Sequence, residues 1–422
     1  MKKYTAHISE TNIEQSVYNH LVDVAEYASQ EAQTAKLSST LYLSGILHDA
    51  GKFTSVFNTY IHKAHENPNA VHRGEINHSS AGGKYIFEKY GKAENRSEYP
   101  YDNLTAQLIS YAVISHHGII DCISPEGKDK FTERIEPTKE IFYEEAIANW
   151  KEYFNIKEID QLFSESREEI KEIYSKMCET SKKMDENFDS DLKRGQSFYA
   201  LFAFLQRLIL SYLIDADRRD TAEFMCGQKE HRLSEDEFAK LWVDYRNKIE
   251  VKMNSFNGES NINRLRNEMS LFCKNFVCNG DGVYRLAIPT GGGKTYASLR
   301  YAIHMACESK KKHIYYVAPF LSILEQNARD IRAVLDDDAN ILEYHSNIVM
   351  GKDDTEELKR YELYSESFAS PIIMTTSVQL LNIMFDGSTQ NIRRMHQLCD
   401  SVIIIDEAQS IPVKCISLFS VC

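Results

Sequence analysis

His48 and Asp49 stand side by side at the end of the apolar run Ser44-Gly45-Ile46-Leu47, with Gly51 and Lys52 just behind them. Adjacent helical residues project about 100° apart, so such a pair can reach neighbouring coordination positions. Burying either group without a partner is costly, which calls for a cation or a hydrogen-bond network. Asp49 has two carboxylate oxygens and could bridge two cations. Taken alone, the dipeptide could equally cap a helix end.

Further candidates come from four other segments. His20 falls between Val17 and Val24 on the inward face of an apolar helical period from Ile13 to Ala28. His78 lies in Asn77-His78-Ser79-Ser80-Ala81-Gly82-Gly83, and His116-His117-Gly118 follow the apolar run Leu108 to Ile114. Asp217 closes the series in Leu213-Ile214-Asp215-Ala216-Asp217-Arg218-Arg219-Asp220-Thr221. Any one of these could be structural; five histidines and two aspartates together point to metal. Imidazole and carboxylate without thiolate suit manganese, iron, cobalt, nickel or zinc better than magnesium alone. Seven protein ligands exceed one ion's needs when water must also bind, so two ions sharing Asp49 is the economical arrangement. His62, His65 and His72 sit in a polar stretch between the His48-Asp49 pair and His78 and read as solvent-exposed loop residues.

A second kind of chemistry appears later in the chain. Tyr284 to Ile288 predicts a strand running into Pro289-Thr290-Gly291-Gly292-Gly293-Lys294-Thr295, with a helix from Tyr296. Strand, glycine loop, Lys-Thr and helix make a phosphate cradle: backbone N–H groups close on the phosphates, Lys294 reaches the terminal ones and Thr295 binds magnesium. Ile288 stands where the strict pattern wants glycine. The apolar run Val402 to Ile405 ends in Asp406-Glu407-Ala408-Gln409, where Asp406 would hold magnesium through water and Glu407 would polarise the attacking water. Tyr315 to Phe320 and Ile372 to Ser377 read as further strands, and strands alternating with helices predict a parallel sheet.

The elements that must position these groups belong to a chain of 422 residues, enough for two or three domains. Hydrophobic content of 43% and charged content of 26% are ordinary for a globular protein. A net charge of −13 argues against a histone-like binder but leaves room for a local basic groove or cation-assisted contact with nucleic acid. The nine cysteines contain no Cys-x-x-Cys pair, and the N-terminus shows no apolar signal segment, so a reducing cytoplasm is the expected location. The apolar segment 197–214 is broken by Gln206-Arg207 and followed by Asp215 and Asp217, which predicts a buried core helix and no membrane partner. Residues 124–190 read as charged helical packing without site chemistry.

The order His20, His48-Asp49, His78, His116-His117, Asp217 resembles the HD-type metal-dependent phosphohydrolases, and more closely their nuclease branch in CRISPR systems. Ala6-His7-Ile8, His-Asp-Ala-Gly-Lys at 48–52 and Asp-Ala-Asp-Arg-Arg-Asp-Thr at 215–221 add to the match, which spans roughly residues 1–225. The resemblance implies that His20, His48, Asp49 and Asp217 hold one ion, and that Asp49, His78, His116 and His117 hold the other. It implies that Lys52 orients phosphate or water and that His116 and His117 stabilise or protonate. Asp217 is preferred to Asp215 because it stands four before Thr221, the spacing such domains show. The second half resembles the first RecA-like lobe of superfamily 2 helicases, which tolerate Pro-Thr-Gly-x-Gly-Lys-Thr and grip the nucleic-acid backbone through segments matching 317–326 and 374–380, with Gln326, Thr376 and Ser377.

An HD nuclease followed by such a lobe is similar to the CRISPR-associated nuclease–helicases of type I systems. The expected fold is multidomain: an all-α HD domain at 1–228, a helical linker at 229–260 and an incomplete α/β RecA-like lobe at 261–422. The resemblance implies hydrolysis of single-stranded DNA with two divalent transition-metal ions, and ATP with magnesium in the lobe. It also implies recruitment to an R-loop by an RNA-guided surveillance complex. No Ser-Ala-Thr motif or second lobe follows the Asp-Glu-Ala-Gln box, so a truncated or split form is expected, its motor activity lost or supplied by a separate chain. Two rivals remain: a nucleotide phosphohydrolase, which shares the simpler His…His-Asp…Asp core, and a non-catalytic fragment with a structural metal.

Overall fold

Ser16 accepts a hydrogen bond from the Asn19 backbone N–H and so caps the first helix, α1 (Val17–Glu31), whose Val17, His20, Leu21, Val24, Ala25 and Ala28 are buried along one stripe. The structure, a computed structural model, describes residues 3–72, 74–91, 101–136, 141–186, 196–256, 260–277, 282–345, 366–411 and 415. They form two units, one of residues up to 230 together with 387–396, the other from the remaining chain. The expected helix from Ile13 starts later than its periodicity suggests. Residues Glu14–Ser16 form β2, paired antiparallel with β1 (Thr5–Ile8), because the Ser16 cap allows helix only from Val17 onward.

The first unit is otherwise helical. α2 (Ser38–Leu47) is apolar on nearly every side and lies across α1, ending at His48. Trp150, at the end of α7 (Tyr143–Trp150), is fully buried and donates its indole N–H to the Ile46 carbonyl at 2.8 Å, which pins that end of α2. A 3-10 turn at Ala50–Lys52 leads to α3 (Ser55–Glu66), α4 (Ser80–Tyr90) and α5 (Asp102–Ser115). His62 and His65 lie half-buried on α3 rather than in a loop, His65 donating to Asn12 at 2.7 Å, whereas His72 is exposed. The reason is amphipathic: the Thr54 cap and the buried Phe57 carry the helix through a stretch that is polar in composition. The short α6 (Lys130–Ile135) precedes α7, and the long α8 (Ile156–Asp185) follows it. α9 (Gln196–Cys226) puts Leu205, Ile209, Tyr212, Leu213 and Ala216 into a core with Val24, Ala28, Leu41, Leu108 and Ile170. Its stretch Ser197–Cys226 is the one described helix long and apolar enough to cross a membrane. Here it is a core helix.

The second unit holds a four-stranded parallel sheet ordered β4 (Ile341–Tyr344), β5 (Ile372–Thr376), β3 (His313–Ala318), β6 (Ser401–Ile405). The register sets Tyr316 beside Met374 and Ile404. α12 (Lys294–Ser309) and α13 (Leu321–Leu335) join their apolar faces to the sheet in one core. α10 (Glu235–Ser255) falls inside the stretch expected as a linker. Its Phe238, Trp242, Tyr245, Ile249 and Met253 recur at helical spacing and enter that same core. α11 (Asn261–Lys274) follows, and Arg300 of α12 is fixed by Glu250 of α10 through two N–H donors at 2.7 and 2.5 Å.

The strand expected at Tyr284 to Ile288 is absent. Residues 282–289 lie outside regular structure, with Val283, Tyr284 and Leu286 exposed, while Ile403 of the outermost strand β6 is 40% exposed. A strand-like sequence becomes a strand only when a neighbour takes its backbone N–H and C=O groups in a ladder, and residues 282–289 join neither of the described sheets.

Candidate metal centre and nucleotide loop

Four histidines present the same nitrogen to one place because something behind each ring holds the other. His48 Nδ1 donates to the Gly45 carbonyl at 2.6 Å, His116 Nδ1 to the Val113 carbonyl at 2.6 Å and His78 Nδ1 to the Ile76 carbonyl at 3.1 Å. A carbonyl can only accept, so these rings carry the proton on Nδ1 and aim the Nε2 lone pair inward. His20 Nδ1 lies 2.6 Å from Asp220 Oδ2, which also accepts from the Gln15 amide at 2.9 Å. α1, the end of α2, the turn before α4 and the end of α5 thus supply the imidazoles, and α9 supplies the carboxylates Asp217 and Asp220.

The inward atoms form two groups that meet at Asp49. In the first, His20 Nε2 and His48 Nε2 are 3.2 Å apart, each 3.5 Å from Asp49 Oδ2 and 3.6 or 3.7 Å from Asp217 Oδ1. In the second, Asp49 Oδ1 lies 3.3 Å from His116 Nε2 and 3.7 Å from His78 Nε2, and His78 Nε2 lies 2.8 Å from His117 Nε2. Donors held about 2.1 Å from one cation are separated by about 3–3.5 Å, and the first group, at 3.2–3.7 Å, comes close to that spacing. His20, His48, Asp49 and Asp217 could share one ion, and Asp49, His116 and His117 another, with His78 at the edge of the second group. Asp215, two residues before Asp217, takes no part; it is buried in an ion pair with Arg393.

The site also passes a test of fit. Asp49 Oδ1 and His116 Nε2 are fully buried and neither makes a hydrogen bond of acceptable geometry, although they lie 3.3 Å apart. Two buried acceptor-type atoms left facing each other are what a divalent cation would satisfy. Burial works against the Asp49 carboxylate, yet Lys52, whose ammonium is 2.7 Å away, and the surrounding imidazoles hold its pKa well below the usual range. Asp217 is likewise held low, burial being outweighed by His48 and His20. Burial pushes His78 down to about 4. The neighbouring His116 charge, with burial second, pushes His117 down to about 3. Burial lowers His48 as well. His20 and His116 go the other way: burial opposes their charged forms, but the nearby carboxylates of Asp220 and Asp49 for His20, and of Asp49 for His116, raise them.

Sequence reasoning missed Asp220, Gln15 and a direct part for His7. Asp220 follows Asp217 by three residues and so shares its helix face, which was the available signal. His7 is half-buried, stacks edge-on against His20 at 4.8 Å between ring centres, and accepts from Lys52 at 3.4 Å.

In the second unit, Gly291 and Gly293 have φ of 77° and 82°, and Gly293 opens α12. The Gly292 N–H donates to the Pro289 carbonyl at 2.9 Å, closing the turn that contains Thr290. Lys294 is ion-paired with Glu407, and Thr295 Oγ1 donates to Asn327 at 3.3 Å. Asp406 accepts from the Tyr316 hydroxyl at 3.1 Å. The glycine loop and the two acidic residues therefore meet, as a nucleotide loop requires. Thr376 caps α14 (Ser377–Phe385), and Gln326 is exposed on α13. Sequence reasoning also missed Asn327, the buried neighbour of Gln326.

A family model described as "Cas3, HD domain" matches residues 4–204, and one described as "DEAD/DEAH box helicase" matches residues 266–415. A search of curated proteins finds no match. Crystal structures of T. fusca Cas3 with AMPPNP and with ADP share the fold, each at 14% identity and a TM-score of 0.53, covering 97% of this chain and 47% of theirs. The chain therefore spans about half the length of these solved relatives. A Cas3 HD domain in the first half and a DEAD/DEAH helicase domain in the second, in that order, mean that the chain belongs to the Cas3-like HD–helicase family.

Proposed function

We propose that the protein is a CRISPR-associated, metal-dependent nuclease of single-stranded DNA that carries an ATP-binding helicase lobe and degrades invader DNA in antiviral defence. The observation that carries this reading is the meeting of two donor groups on the buried carboxylate of Asp49, one through His20, His48 and Asp217 and one through His116 and His117. In this reading the first group holds one divalent transition-metal ion (manganese, iron, cobalt, nickel or zinc), and the second group, with His78, holds another. Bound ions of this kind supply Lewis-acid stabilisation for charge building on a phosphodiester and a source of hydroxide at neutral pH.

The protein's own groups do the rest. Asp220 and the Gly45, Ile76 and Val113 carbonyls keep the imidazoles oriented. Lys52 neutralises Asp49 and is placed to steady a phosphate oxygen. His117, held neutral and exposed, is suited to give a lone pair to a cation rather than a proton to a leaving oxygen. Pro289 to Thr295 with Asp406 and Glu407 bind ATP and magnesium, in line with solved relatives described with AMPPNP and ADP. An RNA-guided surveillance complex at an R-loop is the partner that delivers the displaced strand.

The test uses purified full-length chain with manganese, offered linear single-stranded DNA in one series and nucleoside triphosphates and cyclic nucleotides in another. Cleavage of DNA by the parent and its loss in Asp49→Ala is the expected result. Cleavage that survives the substitution removes the proposed active site, and turnover of nucleotides without DNA cleavage favours the small-molecule phosphohydrolase.

A further inference from the structure

Residues 387–396 follow α14 in the second half of the sequence and end five residues before β6, yet by their contacts they belong to the first unit. They form a short helix, α15 (Thr389–Arg394), lying on α9. Its Ile392 is buried among Tyr111, Leu210 and Ile214. Arg393 Nε donates to Asp215 Oδ1 at 2.7 Å, with both side chains 3% exposed, and His396 Nε2 lies 3.5 Å from the other oxygen of Asp215. The fully buried Ser211 hydroxyl accepts from the His396 backbone N–H at 2.9 Å and lies 3.2 Å from the Arg393 carbonyl and 3.0 Å from His396 Nδ1. Arg218 adds a hydrogen bond to Thr389.

Ser211, Asp215 and Arg218 recur at intervals of four and three, so they lie along one stripe of α9. Asp217 and Asp220 lie on another stripe and face His20 and His48. One helix thus offers carboxylates in two directions from successive positions, Asp215 toward α15 and Asp217 and Asp220 toward the metal centre. A buried ion pair with further hydrogen bonds holds a helix in one rotation and one register, since any turn of α9 would strand the Arg393 charge away from water. The same rotation sets how far Asp217 reaches.

We propose that Arg393 is a positioning residue for the metal centre: through Asp215 it fixes α9 so that Asp217 meets His20 and His48, and the nuclease unit is completed by a segment encoded in the helicase half. This rests on the metal-binding reading of the site. Nothing in the HD motif points to Arg393, because it lies 176 residues beyond Asp217 in a segment flanked by helicase elements.

The test is manganese binding to the full-length chain by calorimetry, well below its melting temperature, comparing the parent with Arg393→Met and Arg393→Lys. The methionine variant should bind manganese at least about 10-fold more weakly, as on loss of outer partners of metal ligands, and lysine should recover part of that loss. A purely structural ion pair would lower the melting temperature and leave the affinity of the folded protein unchanged, and that result overturns the proposal. A parent that binds no manganese overturns this proposal and the metal reading together, whereas a binding parent with an equally binding methionine variant overturns this proposal alone. Should Arg393→Met fail to fold, Ser211→Ala, which removes only the hydroxyl between Arg393 and His396, is read in the same way. A weakened affinity supports the proposal and an unchanged one overturns it.

Discussion

The backbone N–H of Gly51 donates to the His78 carbonyl at 3.1 Å, and a Cβ at position 51 would stand 2.3 Å from that same oxygen. The turn after Asp49 and the segment carrying His78 therefore touch backbone to backbone, which brings an imidazole from beyond α3 onto the carboxylate.

Gly51→Ala should displace His78 from Asp49. Forcing a methyl against backbone typically costs about 1–3 kcal/mol, so a loss of that size is expected in chemical denaturation. Manganese binding to the group containing His116 and His117 should weaken in parallel. Unchanged stability and affinity would show that the contact is not as close as described.

Asp49→Asn keeps the shape of the side chain and removes its charge. Lys52 then loses its charged partner at 2.7 Å, and the two donor groups no longer meet on a shared anionic carboxylate. Added manganese should no longer raise the melting temperature, whereas it should raise that of the parent. A variant that keeps the full manganese-induced rise contradicts the shared-carboxylate arrangement.

Stripped of metal, the first unit should be most stable near pH 6.5. His7, His48, His78 and His117 are pushed below the ordinary value, to about 4 for His78 and about 3 for His117. Below about pH 6.5 the unfolded chain takes up protons that these folded rings refuse, so stability falls with pH. His20 and His116 are raised, so their contribution is complete below the unfolded value and fades as pH climbs through the folded one. Manganese competes with those two protons and should stabilise more at pH 8 than at pH 6. Melting curves of chelator-treated protein across that range check both statements; a stability rising steadily from acid to alkaline pH contradicts the first.

Lys294→Ala removes the partner of Glu407 at the mouth of the glycine loop. The ion pair is about a third exposed and solvent-screened, so little stability should be lost. Binding of a fluorescent ATP analogue with magnesium should drop at least about 10-fold, while manganese binding to the first unit stays as in the parent. Equal nucleotide affinity in parent and variant would falsify the phosphate-cradle assignment.

The chemistry-bearing residue types were legible in the sequence. His20, His48, Asp49, His78, His116, His117 and Asp217 announce themselves as polar groups at the ends or inward faces of apolar helices, and Pro289 to Thr295 as glycines followed by Lys-Thr. Sequence also set the helical and parallel-sheet periods, because local spacing decides which face of an element is apolar. Tertiary structure decided the rest. Asp220 orients His20 across 200 residues, and Gln15 meets the same carboxylate across 205, separations at which local pattern is silent. Whether Asp215 or Asp217 faces the centre depends on the rotation of α9, which is held by Arg393 from far along the chain. The stretch expected as a strand at 284–288 joins no described sheet, and α10, which reads as a linker, fills a core, because a strand needs a ladder of backbone partners and a helix needs an apolar surface to cover its stripe. Residue type proposes chemistry locally; burial, register and the long-range hydrogen bonds behind each ring decide whether the donors ever meet.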